Sequence, residues 1–198
     1  MSKLTSRDLQ AIQTKKNIVR VCKDLLAQKS WNDIKISEIC NEAGISVGTF
    51  YYHFKNKESI LNTIDEQMDH YFYNHILQDC LLLPPQQGLL EYMCSQTQFY
   101  LPVGHDLFNN LFKAQLDNEN YINELHSRYF NKGILALLEN AKKQDLLEED
   151  ADLDFLFHQI LSVNYGIYYF WCLMKDTIDI DTYCRTIFTQ YISSLFHQ

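Results

Sequence analysis

A polar stretch in the first third of the chain carries side chains that could contact nucleic acid. Hydroxyl, imidazole and ammonium groups recur here at close spacing, on Ser46, Thr49, Tyr51, Tyr52, His53, Lys55 and Lys57. Hydroxyl and imidazole groups donate hydrogen bonds to phosphate oxygens, and lysines add the positive charge that a DNA backbone attracts. The stretch therefore indicates binding to a DNA backbone and groove, provided that the local structure turns these groups outward.

Two short helices joined by a tight turn would position these groups. Apolar residues fall at helical spacing over residues 36–43, so this segment can bury one face. Gly44 follows directly, where a helix end favours a residue in the left-handed conformation. Ser46 offers a hydroxyl that can cap a second helix over residues 47–53. The sequence thus predicts a helix-turn-helix whose second helix presents the polar groups.

The run AGISVGTFYYHFKNKESIL, which begins at Ala43, closely resembles the recognition-helix signature of the TetR family of bacterial transcriptional regulators. The resemblance covers about residues 15–62, with Ile45 in place of valine. It implies an all-α fold, with a three-helix helix-turn-helix head over residues 1–56 and a larger helical body over residues 57–198 for ligand binding and dimerisation. It also implies DNA contacts from Lys35, Ser37, Ser46, Val47, Gly48, Thr49, Tyr51, Tyr52, His53 and Lys57.

The expected contacts differ in kind. Tyr51 and Lys57 should hold phosphates, whereas Val47 and Gly48 should press on base edges. Lys35 departs from the family pattern, since relatives often carry threonine or serine there as a helix cap. A lysine cannot cap a helix N-terminus, although its ammonium group can still reach a phosphate.

Charge is distributed unevenly along the chain. The formal net charge is −8. Residues 1–61 hold ten basic and six acidic residues, whereas residues 62–198 hold seven and nineteen, which gives net charges of +4 and −12. DNA would attract the basic head and repel the acidic body, so the asymmetry would orient the molecule on approach.

Composition favours a folded helical protein. The chain is 46% hydrophobic and has only three prolines and six glycines, which is typical of long uninterrupted helices. No apolar run reaches the length of a membrane span, and the polar start of the chain does not resemble a signal peptide. We therefore expect a cytoplasmic protein without membrane association. The six cysteines form no C-x-x-C pair and are expected to be buried apolar residues.

Periodicity predicts about nine helices in all. Those after the helix-turn-helix are expected at about 57–80, 86–101, 105–115, 119–143, 152–174 and 180–196, and one at 5–28 precedes it. The helix at 152–174 is apolar almost all round and must be covered on every side. A second subunit is the favoured cover, with burial inside one chain as the alternative. The predicted dimer interface is Leu156, Ile160, Ile167, Trp171, Ile187, Tyr191 and Leu195. A dimer would also match a palindromic operator.

The aromatic content of the body suggests a cavity for a small molecule. TetR-like proteins usually bind such an effector, which changes the spacing of the two heads and releases DNA. The candidate ligand-binding residues are Phe99, Phe108, Phe112, His126, Tyr129, Phe130, His158, Asn164 and Tyr168. Each could instead belong to an ordinary core, and the sequence does not identify the effector.

The sequence gives less support to other functional classes. His70 and His75 are five residues apart and His105, His126 and His158 are isolated in sequence, so neither a metal site nor a cofactor is expected. No catalytic or nucleotide-binding motif is present, so we expect no enzyme. An adaptor whose body binds another protein is the alternative to a ligand-released repressor. An exposed apolar patch would favour the adaptor, and a closed cavity would favour the ligand sensor.

Overall fold

The computed structural model describes residues 5–101, 104–117 and 119–196. Within these ranges the regular structure is helical, without strands, which confirms the all-α prediction. The α-helices are α1 (Ser6–Leu26), α2 (Ile36–Ala43), α3 (Val47–His53), α4 (Glu58–Tyr71), α5 (Leu77–Leu81), α6 (Pro85–Tyr100), α7 (Gly104–Leu116), α8 (Tyr121–Glu124), α9 (Tyr129–Lys143), α10 (Leu153–Met174) and α11 (Ile180–Ser193).

Helices α1, α2 and α3 form a small head around one apolar core. Local signals set their ends: the Thr5 hydroxyl accepts from the Asp8 amide at 3.2 Å, while Asp8 Oδ2 accepts from the Thr5 amide at 2.9 Å. Gly44 ends α2 with φ +65°. Trp31 and Phe50 are fully buried between the helices. The head is therefore a compact support for α3.

A single long helix runs from the head into the body. α4 continues through a π turn at Phe72–Ile76 into α5, so the helical path extends from Glu58 to Leu81. Asn56 caps its start, because Asn56 Oδ1 accepts from the Ser59 amide at 2.9 Å. Two side-chain contacts tie the head to the body: Lys23 Nζ donates to Gln67 Oε1 at 3.0 Å, and Ser30 Oγ donates to Asp106 Oδ2 at 2.5 Å.

The helix predicted over residues 119–143 is broken in the structure. α8 is followed by a 3-10 turn at Leu125–Ser127, and Arg128 then has an extended backbone (φ −64°, ψ 136°) before α9 begins. The break is stabilised by Asn131 Nδ2, which donates to the Leu125 carbonyl at 2.8 Å. Arg128 also reaches two carboxylates on α4. These long-range partners compensate for the interrupted helix, and periodicity alone does not reveal them.

Helix α10 packs one face on the body and leaves another open. Ile160, Ile167 and Trp171 are buried within the protomer. They therefore belong to the core of the protomer, and not to a dimer interface as the sequence predicted. Leu156, Ile187, Tyr191 and Leu195 are partly buried against that core. The large apolar residues that α10 exposes are Phe155, Tyr169, Phe170, Leu173 and Met174. No helix in the described ranges has the length and apolar character needed to cross a bilayer.

A close approach between α5 and α6 gives a stability prediction. A Cβ atom at Gly88 would lie 2.3 Å from the Cys80 carbonyl oxygen, which is backbone and cannot turn away. Gly88→Ala should therefore force the helices apart and lower the free energy of unfolding by about 3 kcal/mol. At Gly48 the nearest such atom is Ser46 Oγ at 3.7 Å, so Gly48→Ala is the matched control and should lose no stability. Urea unfolding followed by circular dichroism would compare them, and equal stability of Gly88→Ala and the native chain would contradict the analysis.

Candidate functional site

Helix α3 presents most of the predicted DNA contacts on its outer side. The Ser46 hydroxyl caps it by accepting from the Thr49 amide at 3.0 Å. Val47, Tyr51 and Tyr52 are 47%, 54% and 72% exposed, although all three are large and apolar or aromatic. Such exposure opposes the hydrophobic effect unless a partner covers these side chains. The arrangement gives α3 a surface that another molecule can cover.

A cleft separates α3 from the first half of α1. Its volume is about 480 Å³, and it is lined by residues of both helices, including Arg7, Thr14, Ser46, Gly48, Thr49, Tyr52 and His53. Burial and the nearby charge of Lys15 lower the pKa of His53, so its imidazole is neutral at pH 7. A neutral imidazole donates one hydrogen bond without adding charge. Sequence analysis did not single out Arg7.

The lysines predicted to contact DNA differ in their surroundings. Lys57 Nζ donates to the Trp31 and Ile34 carbonyls at 2.8 and 2.9 Å, and it lies 4.5 Å from the centre of the Trp31 ring. Two of its three donors are thus used to hold the start of α4 against the segment between α1 and α2. Lys35 precedes α2 without a side-chain cap, as expected, and Lys35 and Ser37 are both exposed.

The body contains a small inner cavity between α4, α6, α7, α9 and α10. Its volume is about 40 Å³, which is enough for a few water molecules at most. Four predicted ligand residues line it: Phe108, Phe112, Phe130 and Asn164. Asn164 Nδ2 donates to Gln96 Oε1 at 3.1 Å, while Asn164 Oδ1 is buried without a partner. The cavity is therefore polar at one side and aromatic at the other.

A buried ion cluster of Arg128, Asp65 and Asp69 also lines this cavity. Arg128 donates to Asp65 Oδ2 at 2.5 Å through its terminal nitrogen and to Asp69 Oδ2 at 2.9 Å through Nε. Burial raises the pKa of Asp69 to about 6, since the neighbouring Asp65 charge adds to it and Arg128 only partly opposes it. The Arg128 guanidinium also lies 5.6 Å from the centre of the Tyr121 ring.

The ion cluster forms the wall between the inner cavity and an outer groove. The outer groove has a volume of about 440 Å³, and it shares Asp65, Asp69, Tyr121 and Arg128 with the cavity. Its other lining residues include Glu66, His70, Glu124 and Tyr129. Of the predicted ligand residues, Tyr129 therefore lies in the groove, where its ring is 3.8 Å from that of His70.

The remaining predicted ligand residues lie outside both spaces. Phe99 packs at the edge of the core, and Tyr168 is buried against Phe108 with its hydroxyl unpartnered. His126 and His158 are exposed, and both lie at Asp154, with His126 Nε2 at 2.5 Å from its carboxylate. The fold thus brings together two histidines that are isolated in the sequence, in a surface cluster whose ligand atoms lie within 4.8 Å of one another.

Several site residues were missed because their partners are distant in sequence. Asp65 and Asp69 are four residues apart and flank the apolar stripe of α4, where acidic residues usually face solvent. Arg128 gave no signal because it lies inside a helical pattern. The detectable sign was the i, i+4 spacing of the two aspartates beside buried Ile64 and Met68.

Comparison with known proteins agrees with this geometry. Residues 18–64 match the model of "Bacterial regulatory proteins, tetR family". The chain is 29% identical over 163 residues to the uncharacterized HTH-type transcriptional regulator YerO of Bacillus subtilis, covering 78% of this chain and 47% of that protein. It is 26% identical over 125 residues to the fatty acid metabolism regulator protein of Bacillus subtilis, covering 60% of this chain and 64% of that protein. The matches thus span less than two thirds of either relative.

The fold also has close structural neighbours. The Thermus thermophilus transcriptional repressor FadR, solved in complex with lauroyl-CoA, superposes with a TM-score of 0.73 at 16% identity. The match covers 90% of this chain and 93% of that one. The family match runs from the second half of α1 through α2 and α3 to the start of α4. Residues 18–64 therefore form the helix-turn-helix segment of a TetR-family transcriptional regulator.

Proposed function

We propose that the protein is a homodimeric transcriptional repressor that leaves a palindromic operator when a small molecule binds its body. The observation that carries the proposal is the path of α4. This helix starts directly after α3 and places Asp65 and Asp69 in the wall of the inner cavity. A change at the cavity therefore acts on the same rigid element that supports the head.

DNA contact is assigned to the exposed side of α3 and its surroundings. The Tyr51 hydroxyl is proposed to donate to a phosphate, and Val47 and Tyr52 to meet base edges. Lys57 keeps one ammonium donor free of the two carbonyl contacts, and that donor is proposed to reach the backbone. Operator binding in a bacterium would place the protein in the cytoplasm.

The open face of α10 is the proposed dimer contact. One apolar stripe runs along this helix, because exposed apolar residues recur at helical spacing at Phe155, at Tyr169 or Phe170, and at Leu173. Gly166 lies within this stripe, and a Cβ atom there would meet nothing within 4 Å of the protomer. A face that is apolar and has a small residue at its centre suits close contact with a second copy.

Release by ligand is supported by the cavity wall and by the neighbouring fold. Aromatic rings around the inner cavity suit an apolar ligand chain. A neighbour of similar fold binds lauroyl-CoA, which has such a chain. Since the cavity holds about 40 Å³, a ligand of this size would enter only if the helices around it separate. Ligand binding and helix movement are therefore coupled in this proposal.

An adaptor function is the second candidate. The small cavity favours it, as do Leu116 and Ile122, which are 73% and 75% exposed outside the proposed dimer stripe. In this case the body would bind a protein partner through its surface and the core would stay closed. Titrations with lauroyl-CoA and with dodecylammonium while DNA binding is monitored separate the two, because only a ligand sensor would release DNA with either ligand.

The first prediction concerns the DNA backbone. Tyr51→Phe removes one hydroxyl from the exposed side of α3 and should weaken binding to any duplex about tenfold, the effect of one lost hydrogen bond to a charged group. The control is Tyr71→Phe, which removes the hydroxyl of an exposed tyrosine on α4. Fluorescence anisotropy at low salt would measure both. Equal affinities for the native chain and Tyr51→Phe would refute the assignment.

The second prediction concerns the dimer. Leu173→Glu places a charge within the apolar stripe of α10 and should convert the dimer to monomers, because a buried unpaired carboxylate is costly. Leu82→Glu is the control, since Leu82 is 85% exposed at the end of the α5 segment. Sedimentation velocity would give the oligomeric state of each. A Leu173→Glu protein that remains dimeric would place the interface elsewhere.

A further inference from the structure

We propose that the effector is an amphipathic organic cation, whose ammonium or guanidinium group pairs with Asp65 and Asp69 and whose apolar part lies in the inner cavity. This inference rests on the proposed function, in which a ligand in the body releases DNA. It adds the charge of the ligand headgroup, which is opposite to that of the acyl-CoA ligand bound by the Thermus thermophilus neighbour.

The charges at the cavity entrance favour a cation. Two carboxylates face one guanidinium in the ion cluster, so the cluster carries an excess negative charge when both are ionised. The outer groove adds the carboxylates of Glu66 and Glu124, and Arg128 is the one lysine or arginine among its described lining residues. An anionic headgroup would therefore enter against several like charges, whereas a cation would be attracted.

One buried oxygen atom in the wall of the inner cavity has no hydrogen-bond donor. Asn164 is 6% exposed, and its Oδ1 atom has no partner. Gln96 Oε1 is already used as the acceptor for Asn164 Nδ2. A buried oxygen without a donor carries a desolvation cost, which a ligand N–H group would remove. This observation is independent of the ion cluster and indicates the same ligand chemistry.

The aromatic rings suit the same ligand. Tyr121 already has the Arg128 guanidinium 5.6 Å from its ring centre, which is a cation–π distance. Tyr100, Phe108, Phe112 and Tyr165 continue the aromatic wall into the cavity. A cationic group at the cluster would thus have carboxylates beside it and aromatic faces around its apolar part.

Competition with Arg128 links this site to α4. The ligand cation would take over the α4 carboxylates that now hold Arg128, and the guanidinium would turn into the outer groove. The turn at Leu125–Ser127 and helix α4 would then lose their ionic connection. Because α4 continues from the head, this exchange converts binding into a shift of the DNA-contacting surface.

Three ligands with one alkyl chain test the headgroup. Dodecylammonium, dodecanoate and lauroyl-CoA, each below its micelle concentration, would be titrated into the protein by isothermal calorimetry. Dodecylammonium should bind at least tenfold more tightly than either anion. Compared with the native chain, Asp69→Asn should bind dodecylammonium tenfold to hundredfold more weakly, since a hydrogen bond to a charged group is lost. Asp65→Asn should act in the same direction, and circular dichroism would show that both variants fold.

The matched control is Asp150→Asn, which makes the same change of charge at an exposed position after α9. It should leave dodecylammonium affinity unchanged. Anions that bind as tightly as the cation, or equal losses in Asp69→Asn and Asp150→Asn, would overturn the cationic assignment. DNA release is recorded separately in the same titrations. Release by lauroyl-CoA without cation binding would end this inference and leave the proposed repressor standing. Cation binding that depends on Asp69 but does not release DNA would support the cation site and contradict the proposed ligand-released repressor.

Discussion

The buried contact of Arg128 with Asp65 and Asp69 is the interaction on which the arrangement of the body depends. Charges taken out of water are costly unless they are paired and hydrogen-bonded, so these three groups must stay together while the body is closed. Their pairing fixes the turn before α9 against the middle of α4 and ends the helix that periodicity predicts over residues 119–143. It also separates the inner cavity from the outer groove.

Helix α4 connects this contact to the head. Its N-terminal end is held by Lys57, whose ammonium group donates to the Trp31 and Ile34 carbonyls between α1 and α2, and its middle is held by the ion cluster. Lys23 and Ser30 add contacts between head and body. In the proposed mechanism, a displacement near residue 65 would move the head, because α4 is held at its N-terminal end and at its middle.

Sequence reasoning succeeded where the determinants are local. Thr5, Gly44 and Ser46 act on backbone groups within a few residues, so the ends of α1, α2 and α3 were predictable, as was the family through the run around α3. The ion cluster was not predictable, because Asp65 and Arg128 are 63 residues apart. The buried face of α10 could not be predicted either, since a helix that is apolar all round has no periodicity. Nothing in the sequence distinguishes Ile160 and Ile167, which are buried, from Phe170, which is exposed.

A nearly closed cavity is compatible with sensing because the ion cluster is poorly balanced. Asp69 is buried beside Asp65, and both effects raise its pKa to about 6, so at neutral pH the closed body holds a carboxylate in an unfavourable environment. The unpartnered Asn164 oxygen adds a second unfavourable group in the same wall. The ionised Asp69 and the unpartnered Asn164 oxygen both destabilise the closed body, and the proposed cationic ligand would stabilise both by donating hydrogen bonds to them. In the proposed sensor, this stabilisation would supply the differential affinity that favours an open arrangement of the body.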